Sequence, residues 1–399
     1  MRILIANKFF HLNGGSERVF FQERNFLLSQ RHSVIDFSMV DDRNFSSEFS
    51  SNFVPNINFN SSDGLFSKIN TAAKFIHSSV ATQKLRDLLK NEKPQIAHLH
   101  NIYHQLTPSI IPVLKEEGIK VVLTLHDFKL ICPNYIALRG DNFCLECEGH
   151  KFWKPLVLNC QNSHFKSLLL SLEAIFHQWK RSYEQVHLFL APSQFMADQI
   201  SRRIPTEKIR VLHNGIDLKL YQPQDDDNGY GLYFGRLSKE KGIETLLKAH
   251  KINSSEIPLK IVGTGPLEAN LKNDYPDAEF LGYKTGDELT EIISSAAFVV
   301  VPSEWYENCS MVVLESMALG KPIIGSRIGG IPEQIEDGET GFLFEMGNIE
   351  ELAKKMNILA NDKNLRRKFG KAARLKVEIE YDLEKHCTEL ESIYKKLIK

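Results

Sequence analysis

Residues 297–327 read AFVVVPSEWYENCSMVVLESMALGKPIIGSR. An apolar run, AFVVVPS, leads into a polar loop over 304–308. A helical stretch over 310–319, containing MVVLESMAL, is stopped by Gly320, and a second apolar run, KPIIGSR, follows. Continuous apolar runs joined by a helical segment predict parallel strands, buried on both faces and connected by a crossover helix.

The same unit recurs along the chain. RILIANKF, VIDFSMV, QIAHLH, KVVLTLHD, HLFLAPS and IRVLHNG occupy the first half, and GLYFGRL, LKIVGTG, AEFLGY, AFVVVPS and KPIIGSR the second. The expected fold class is therefore α/β, with two doubly wound Rossmann-like domains facing across a cleft. At 399 residues the chain is too long for one core and suits two. The polar stretch KLYQPQDDDNG, interrupted by a proline, marks the boundary. The expected domains are 1–217 and 228–375. A final segment, 376–399, has Leu390, Ile393, Tyr394 and Leu397 on one face, which can pack on its own domain or back on the first.

Composition excludes several classes. Hydrophobic residues make up 42%, charged residues 25%, and the formal net charge is -1, a globular profile with no signature of nucleic-acid binding. The start, MRILIANKFF, lacks the layout of a signal peptide, and no run approaches a bilayer span. A cytoplasmic location with reduced thiols is expected. The segment FKSLLLSLEAIFHQWKRS reads either as a buried domain helix or as a peripheral contact with a membrane surface.

Several stretches can carry chemistry. Gly14-Gly15 precede a helical run after the first strand: either a tight turn that needs φ > 0, or close backbone approach to an anion at a helix start. Arg236 and Lys241 stand at another strand-to-helix turn, where a guanidinium fork and an ammonium suit a diphosphate. VGTGPLE has Gly263 and Gly265 but Glu268 where a third glycine would be needed, which argues against a dinucleotide and leaves a backbone loop beside another nucleotide. His126-Asp127 end KVVLTLHD, where the imidazole can serve a sugar hydroxyl and Asp127 can fix its tautomer. Glu307 stands in the loop before a helix start, Asn308 and Ser310 precede the helix with open N–H groups, and Glu315 lies inside the helix, so the two carboxylates cannot act on one atom. Asp225-Asp226-Asp227 reads as a solvated loop, and no metal is assigned to it.

Cys132, Cys144, Cys147 and Cys160 fall in an insertion over 128–163. A Cys-x2-Cys pair with single cysteines on either side can wrap a structural zinc; free thiols and an iron-sulfur cluster are the alternatives.

Glu307, seven residues and Glu315, followed by SMALGKPIIGSRIGGIPEQIEDGETGFLF, resembles the signature of the family 4 glycosyltransferases, retaining GT-B enzymes that use nucleotide sugars. GGSER, TLHD, APSQF, NGID, FGRLSKEKG, VGTGPLE and LGY occur in the family's order over most of the chain. The resemblance implies donor binding by Gly15, Arg236, Lys241, Gly263, Tyr283, Glu307, Asn308, Cys309, Ser310 and Glu315. It places His126 and Glu307 at the reacting sugar and Gly14 and Asp127 on the acceptor side. It implies metal-independent transfer from a UDP- or GDP-sugar to a saccharide or lipid-linked acceptor in surface polysaccharide or glycan synthesis. A silent nucleotide-sugar-binding protein and a nucleotide-sugar epimerase are the rival readings. Many family members have glycine and phenylalanine after the first glutamate, and Asn308-Cys309-Ser310 here changes the shape of the sugar pocket.

Overall fold

The computed structural model describes residues 1–57, 65–139, 142–252 and 257–399; residues 140–141 of the cysteine-bearing insertion lie outside them. Two compact units form, one of Met1–Leu212 with Cys387–Lys399 and one of His213–His386.

In the first unit the strands are Arg2–Ala6 (β1), Ser33–Phe37 (β2), Ile96–Leu99 (β3) and Lys120–Thr124 (β4). A two-stranded antiparallel hairpin, Leu138–Arg139 (β5) with Asn142–Phe143 (β6), precedes Leu188–Ala191 (β7) and Ile209–Val211 (β8). The six-stranded sheet is parallel throughout, in the order β2-β1-β3-β4-β7-β8. Ile3, Ile5, Phe20, Ile96 and Val122 build its core together with Leu390, Ile393 and Tyr394. The helical face read in the last segment thus belongs to this core. Fully burying one such side chain is worth about 1.5–3 kcal/mol.

The second unit contains Gly231–Phe234 (β9), Leu259–Val262 (β10), Glu279–Gly282 (β11), Phe298–Val301 (β12), Ile323–Ser326 (β13) and Gly341–Phe344 (β14). Their order is β11-β10-β9-β12-β13-β14, again all parallel. Alternate residues serve opposite faces: Leu232, Val299 and Val301 enter one apolar cluster, Tyr233, Phe298 and Val300 the other. Helices cover both faces, so the strands need no polar side, which is why they read as unbroken apolar runs.

β14 adds a strand to the eleven read from the sequence. Only one helical turn, Ile331–Gln334, precedes it, so the spacing of a full crossover is missing. The reading of Asp225-Asp226-Asp227 is corrected in part. The aspartates face cations of the helix Lys363–Glu380: Asp227 pairs with Arg366 at 3.0 Å, Asp226 with Arg367 at 2.8 Å and with Lys363 at 3.1 Å, and Asp225 with Lys371 at 3.4 Å. Asp225 and Asp226 are exposed as the solvated-loop reading expects, whereas Asp227 and Arg366 are buried at their pair and fasten the segment to the helix.

Candidate active site

Strand order reverses between β9 and β12 in the second unit and between β1 and β3 in the first. Loops that leave the carboxyl ends of such strands diverge and open a crevice, the place where open α/β sheets bind ligands.

In the second unit those loops are 235–242 after β9 and 302–310 after β12. They are stitched together. Glu304 N–H donates to Glu240 O at 2.9 Å, and Thr245 Oγ1 donates to Glu304 Oε1 at 2.5 Å. Gly242, at φ +66°, lies so close that a Cβ would sit 1.8 Å from Pro302 O. Lys241 Nζ consequently reaches Glu307 Oε1 at 2.5 Å, and Ser303 Oγ donates to the same oxygen at 3.0 Å. Lys241 also stands over the Trp305 ring, 5.6 Å from its centroid. An ammonium has three N–H donors, so Lys241 can hold Glu307 and meet a ligand oxygen together. Arg236 is exposed on the loop after β9, and Tyr283, 73% exposed, follows β11.

The glycines of VGTG have a packing reason. A Cβ on Gly263 would lie 1.9 Å from Gly235 O, and one on Gly265 would lie 2.3 Å from Leu237 O, so the loops after β9 and β10 run backbone against backbone. Gly329 does the same for the loop after β12: its Cβ would lie 2.4 Å from Glu307 O, and Gly330 N–H donates to that oxygen at 2.7 Å.

The helix Met311–Ala318 begins at Ser310 without a side-chain cap. Ser310 N–H donates to Gln334 Oε1 at 2.8 Å, and Gln334 Nε2 returns a bond to Ser310 O at 3.1 Å. The expectation of an open N–H at Ser310 is therefore corrected, because a buried amide at an uncapped helix start needs an acceptor. The Cys309 side chain belongs to the apolar core, where burial pushes its thiol up to about 12. Its carbonyl accepts from Asn214 Nδ2 at 3.4 Å. Asn308 follows Glu307 in the same loop, half-buried. Glu315 is buried on the helix, and Tyr221 Oη donates to its Oε1 at 3.4 Å.

In the first unit the helix Gly15–Ser29 starts behind Gly14, whose φ of -177° is ordinary extended backbone. Neither glycine has the positive φ of the tight-turn reading. Glu17 is buried in the first turn, accepting from Asn7 Nδ2 at 3.2 Å and Ser16 Oγ at 3.1 Å. Beyond β4, His126 Nε2 lies 2.9 Å from His100 Nδ1, with the rings stacked. His100 and His98 both face Glu23 Oε2, at 3.4 and 3.2 Å, and Tyr394 Oη lies 2.6 Å from His98 Nδ1. Burial, with His100 next, lowers His126 to about 3. Asp127 is not the group that orients His126: its Oδ1 accepts from Lys129 N–H at 2.8 Å, a local turn that turns the carboxylate away.

Sequence reasoning missed Ser303, Gly329, Gln334, Tyr221, His100 and Glu23. Two signals were available. QIAHLH ends in His100 much as KVVLTLHD carries His126 next to its end, and Gly329-Gly330 after a strand repeat the pattern of Gly14-Gly15.

Cys132 and Cys147 are buried, Cys144 and Cys160 half-buried. Each of the six pairs among them is close enough for mutual charge effects. Burial raises Cys132 to about 11 and Cys147 to about 12. Among the described residues, the three potential ligand atoms within 4.8 Å of one another are those of Glu23, His98 and His100, so the four sulfurs stand more widely than a closed metal shell.

Two parallel-sheet units with divergent loops at their switch points are the GT-B architecture. Residues 13–220 match the model of Glycosyltransferase Family 4, and residues 221–376 match that of Glycosyl transferases group 1. An uncharacterized glycosyltransferase of Methanocaldococcus jannaschii is 30% identical over 339 residues, 81% of this chain and 94% of that protein. The chain belongs to the family 4 glycosyltransferases. A lipopolysaccharide 1,2-N-acetylglucosaminetransferase of Salmonella typhimurium is 29% identical over 49% of this chain and 58% of that protein's length. The Anabaena protein HepE in complex with UDP and glucose has the same fold, with a TM-score of 0.69 at 16% identity over 99% of this chain and 100% of HepE.

Proposed function

We propose that this glycosyltransferase moves a sugar from a UDP- or GDP-linked donor to a saccharide or lipid-linked saccharide in the assembly of a surface polysaccharide or related glycan. The observation that carries the reading is Lys241 paired with Glu307 at the switch point of the second sheet. UDP and glucose bound to HepE, and the lipopolysaccharide substrate of the Salmonella relative, support the donor and acceptor classes.

Transfer with retention then runs as follows. The bond from the anomeric carbon to the β-phosphate oxygen breaks while the acceptor oxygen bonds to that carbon from the same face. The acceptor proton passes to the departing diphosphate. Arg236 and Lys241 meet the developing negative charge, each charge-assisted bond contributing about 1.5–3 kcal/mol. In this reading Glu307 accepts from sugar hydroxyls, and Glu315, which Tyr221 contacts, takes the ribose hydroxyls. No metal is needed for these steps. Incubation with a panel of nucleotide sugars, with and without saccharide acceptors, tests the reading. Acceptor-dependent release of nucleoside diphosphate supports it. Epimerised donor without acceptor, or tight donor binding with no turnover, overturns it.

We also propose that Cys132, Cys144, Cys147 and Cys160 close on a structural zinc ion. The support is four neighbouring sulfurs in an insertion whose local sheet is a single short hairpin. One zinc per chain by elemental analysis, lost in a Cys144→Ser, Cys147→Ser variant, is the expected result; metal-free, fully stable protein overturns it.

A further inference from the structure

The helix His164–Trp179, between β6 and β7, is turned inside out. Its buried side is largely polar: Ser167, Ser171, Glu173 and His177, with Leu170. Glu173 accepts from Lys129 Nζ at 2.5 Å, and His177 contacts Ile76 O at 2.8 Å and Ser182 Oγ at 3.1 Å. Its exposed side carries Phe165, Leu168, Leu172, Ile175 and Trp179. The spacing of three, four, three and four places these five side chains on one stripe. The adjoining helix Lys154–Leu158 and its N-cap extend the patch with Val157 and Trp153, 65% and 51% exposed, against 71% for Trp179. The reading of this segment as a buried domain helix is thus corrected: the helix is packed, but by its polar face.

Seven large apolar side chains held in water this way are rare on a protein that acts alone, and a patch of this size marks an interaction surface. Its chemistry narrows the partner. Residues 151–181 contain Lys151, Lys154, Lys166, Lys180 and Arg181, and their one acid, Glu173, is buried with Lys129. Lys154 and Arg181 also pair with Glu146 and Glu184 at exposed positions. Lys154 lies over Trp153 and Lys180 over Trp179, with the cations 5.3 and 4.6 Å from the ring centroids. Tryptophan and lysine together at the edge of an apolar face suit the layer where lipid headgroups meet acyl chains. A second copy of the chain would bring this basic rim against itself. An anionic lipid surface would meet it with opposite charge, worth about 1 kcal/mol per cation near the surface. None of the described helices is long and apolar enough to cross a membrane.

We propose that this stripe docks the protein on an anionic bilayer, the helix His164–Trp179 lying in the plane of the interface. The inference does not rest on which sugar is transferred. The test is sedimentation of the whole protein with phosphatidylcholine vesicles, with and without about one third phosphatidylglycerol. Binding should need the anionic lipid, weaken several-fold in about 0.5 M salt, and shift tryptophan emission to the blue. L172E with I175E should weaken binding ten-fold or more while thermal melting and turnover of a soluble acceptor stay unchanged, and K166E with K180E should weaken it by a smaller factor. Wild-type protein that ignores anionic vesicles overturns the proposal, as does L172E/I175E protein that still binds. A concentration-dependent dimer dispersed by L172E, without vesicle binding, would assign the stripe to a second copy and equally overturn it.

Discussion

His126 Nε2 and His100 Nδ1 lie 2.9 Å apart, and through His100 the loop after β4 is tied to the buried carboxylate of Glu23. His100 Nε2 faces Glu23 Oε2 at 3.4 Å; when His100 carries its proton there, its Nδ1 is the acceptor, and His126 donates Nε2–H to it and keeps Nδ1 as an acceptor. Nitrogen-15 spectra should find His126 neutral in that tautomer at pH 7, and E23Q should disturb it. The lowered pKa, about 3, also has a sign. Below the ordinary 6.5 the unfolded chain takes a proton that the folded site refuses, so folding stability falls as pH drops from about 6.5 toward 3. H126N should flatten that fall by up to about 1.4 kcal/mol per pH unit in urea titrations. Donor turnover should show no acid limb from His126 between about pH 5 and 8.

Lys241 and Glu307 should act as a unit. K241M and E307Q are each expected to lower kcat/KM for the donor by about 10²-fold or more. The double variant should fall short of the sum, with a coupling of about 1–3 kcal/mol. Strict additivity would show that the ion pair is incidental.

Gly329 and Gly338 provide a controlled comparison. Both have left-handed backbones, at φ +61° and +83°, so alanine costs each about 1–2 kcal/mol. A Cβ at Gly329 strikes the Glu307 carbonyl, whereas one at Gly338 meets open space. G329A should therefore lose about ten-fold or more in kcat/KM, and more in Tm than G338A, while G338A keeps its activity. Equal activities would remove the Gly329 contact from the positioning of Glu307.

Asp227 and Arg366 are buried partners, so removing one leaves the other charged, out of water and without its counter-ion. D227N and R366A should each cost about 3–5 kcal/mol in urea unfolding. Exposed D226N should cost under about 1 kcal/mol.

The sheets were legible because burial on both faces leaves strands such as FVVV without polar interruptions. β14 was not, because GFLF follows a turn and a single helical turn instead of a crossover. Arg236, Lys241 and Glu307 could be placed because strand ends and helix starts carry local signals. The partners that orient them come from elsewhere in the chain: Gln334 takes the Ser310 amide, Tyr221 reaches Glu315, and Tyr394 lies against His98. Contacts set by packing leave no periodic trace. The outward stripe of His164–Trp179 shows the same limit, since apolar periodicity gives a face but not its direction.

Leu390, Ile393 and Tyr394 complete the first core although some 170 residues of the second unit are made before them. During synthesis the first sheet must therefore wait, with an apolar gap beside Ile3 and Ile5 and with His98 lacking its phenol, until the second unit has emerged. Emergence of residues 387–399, rather than completion of residue 212, is the moment at which the first unit can reach full stability.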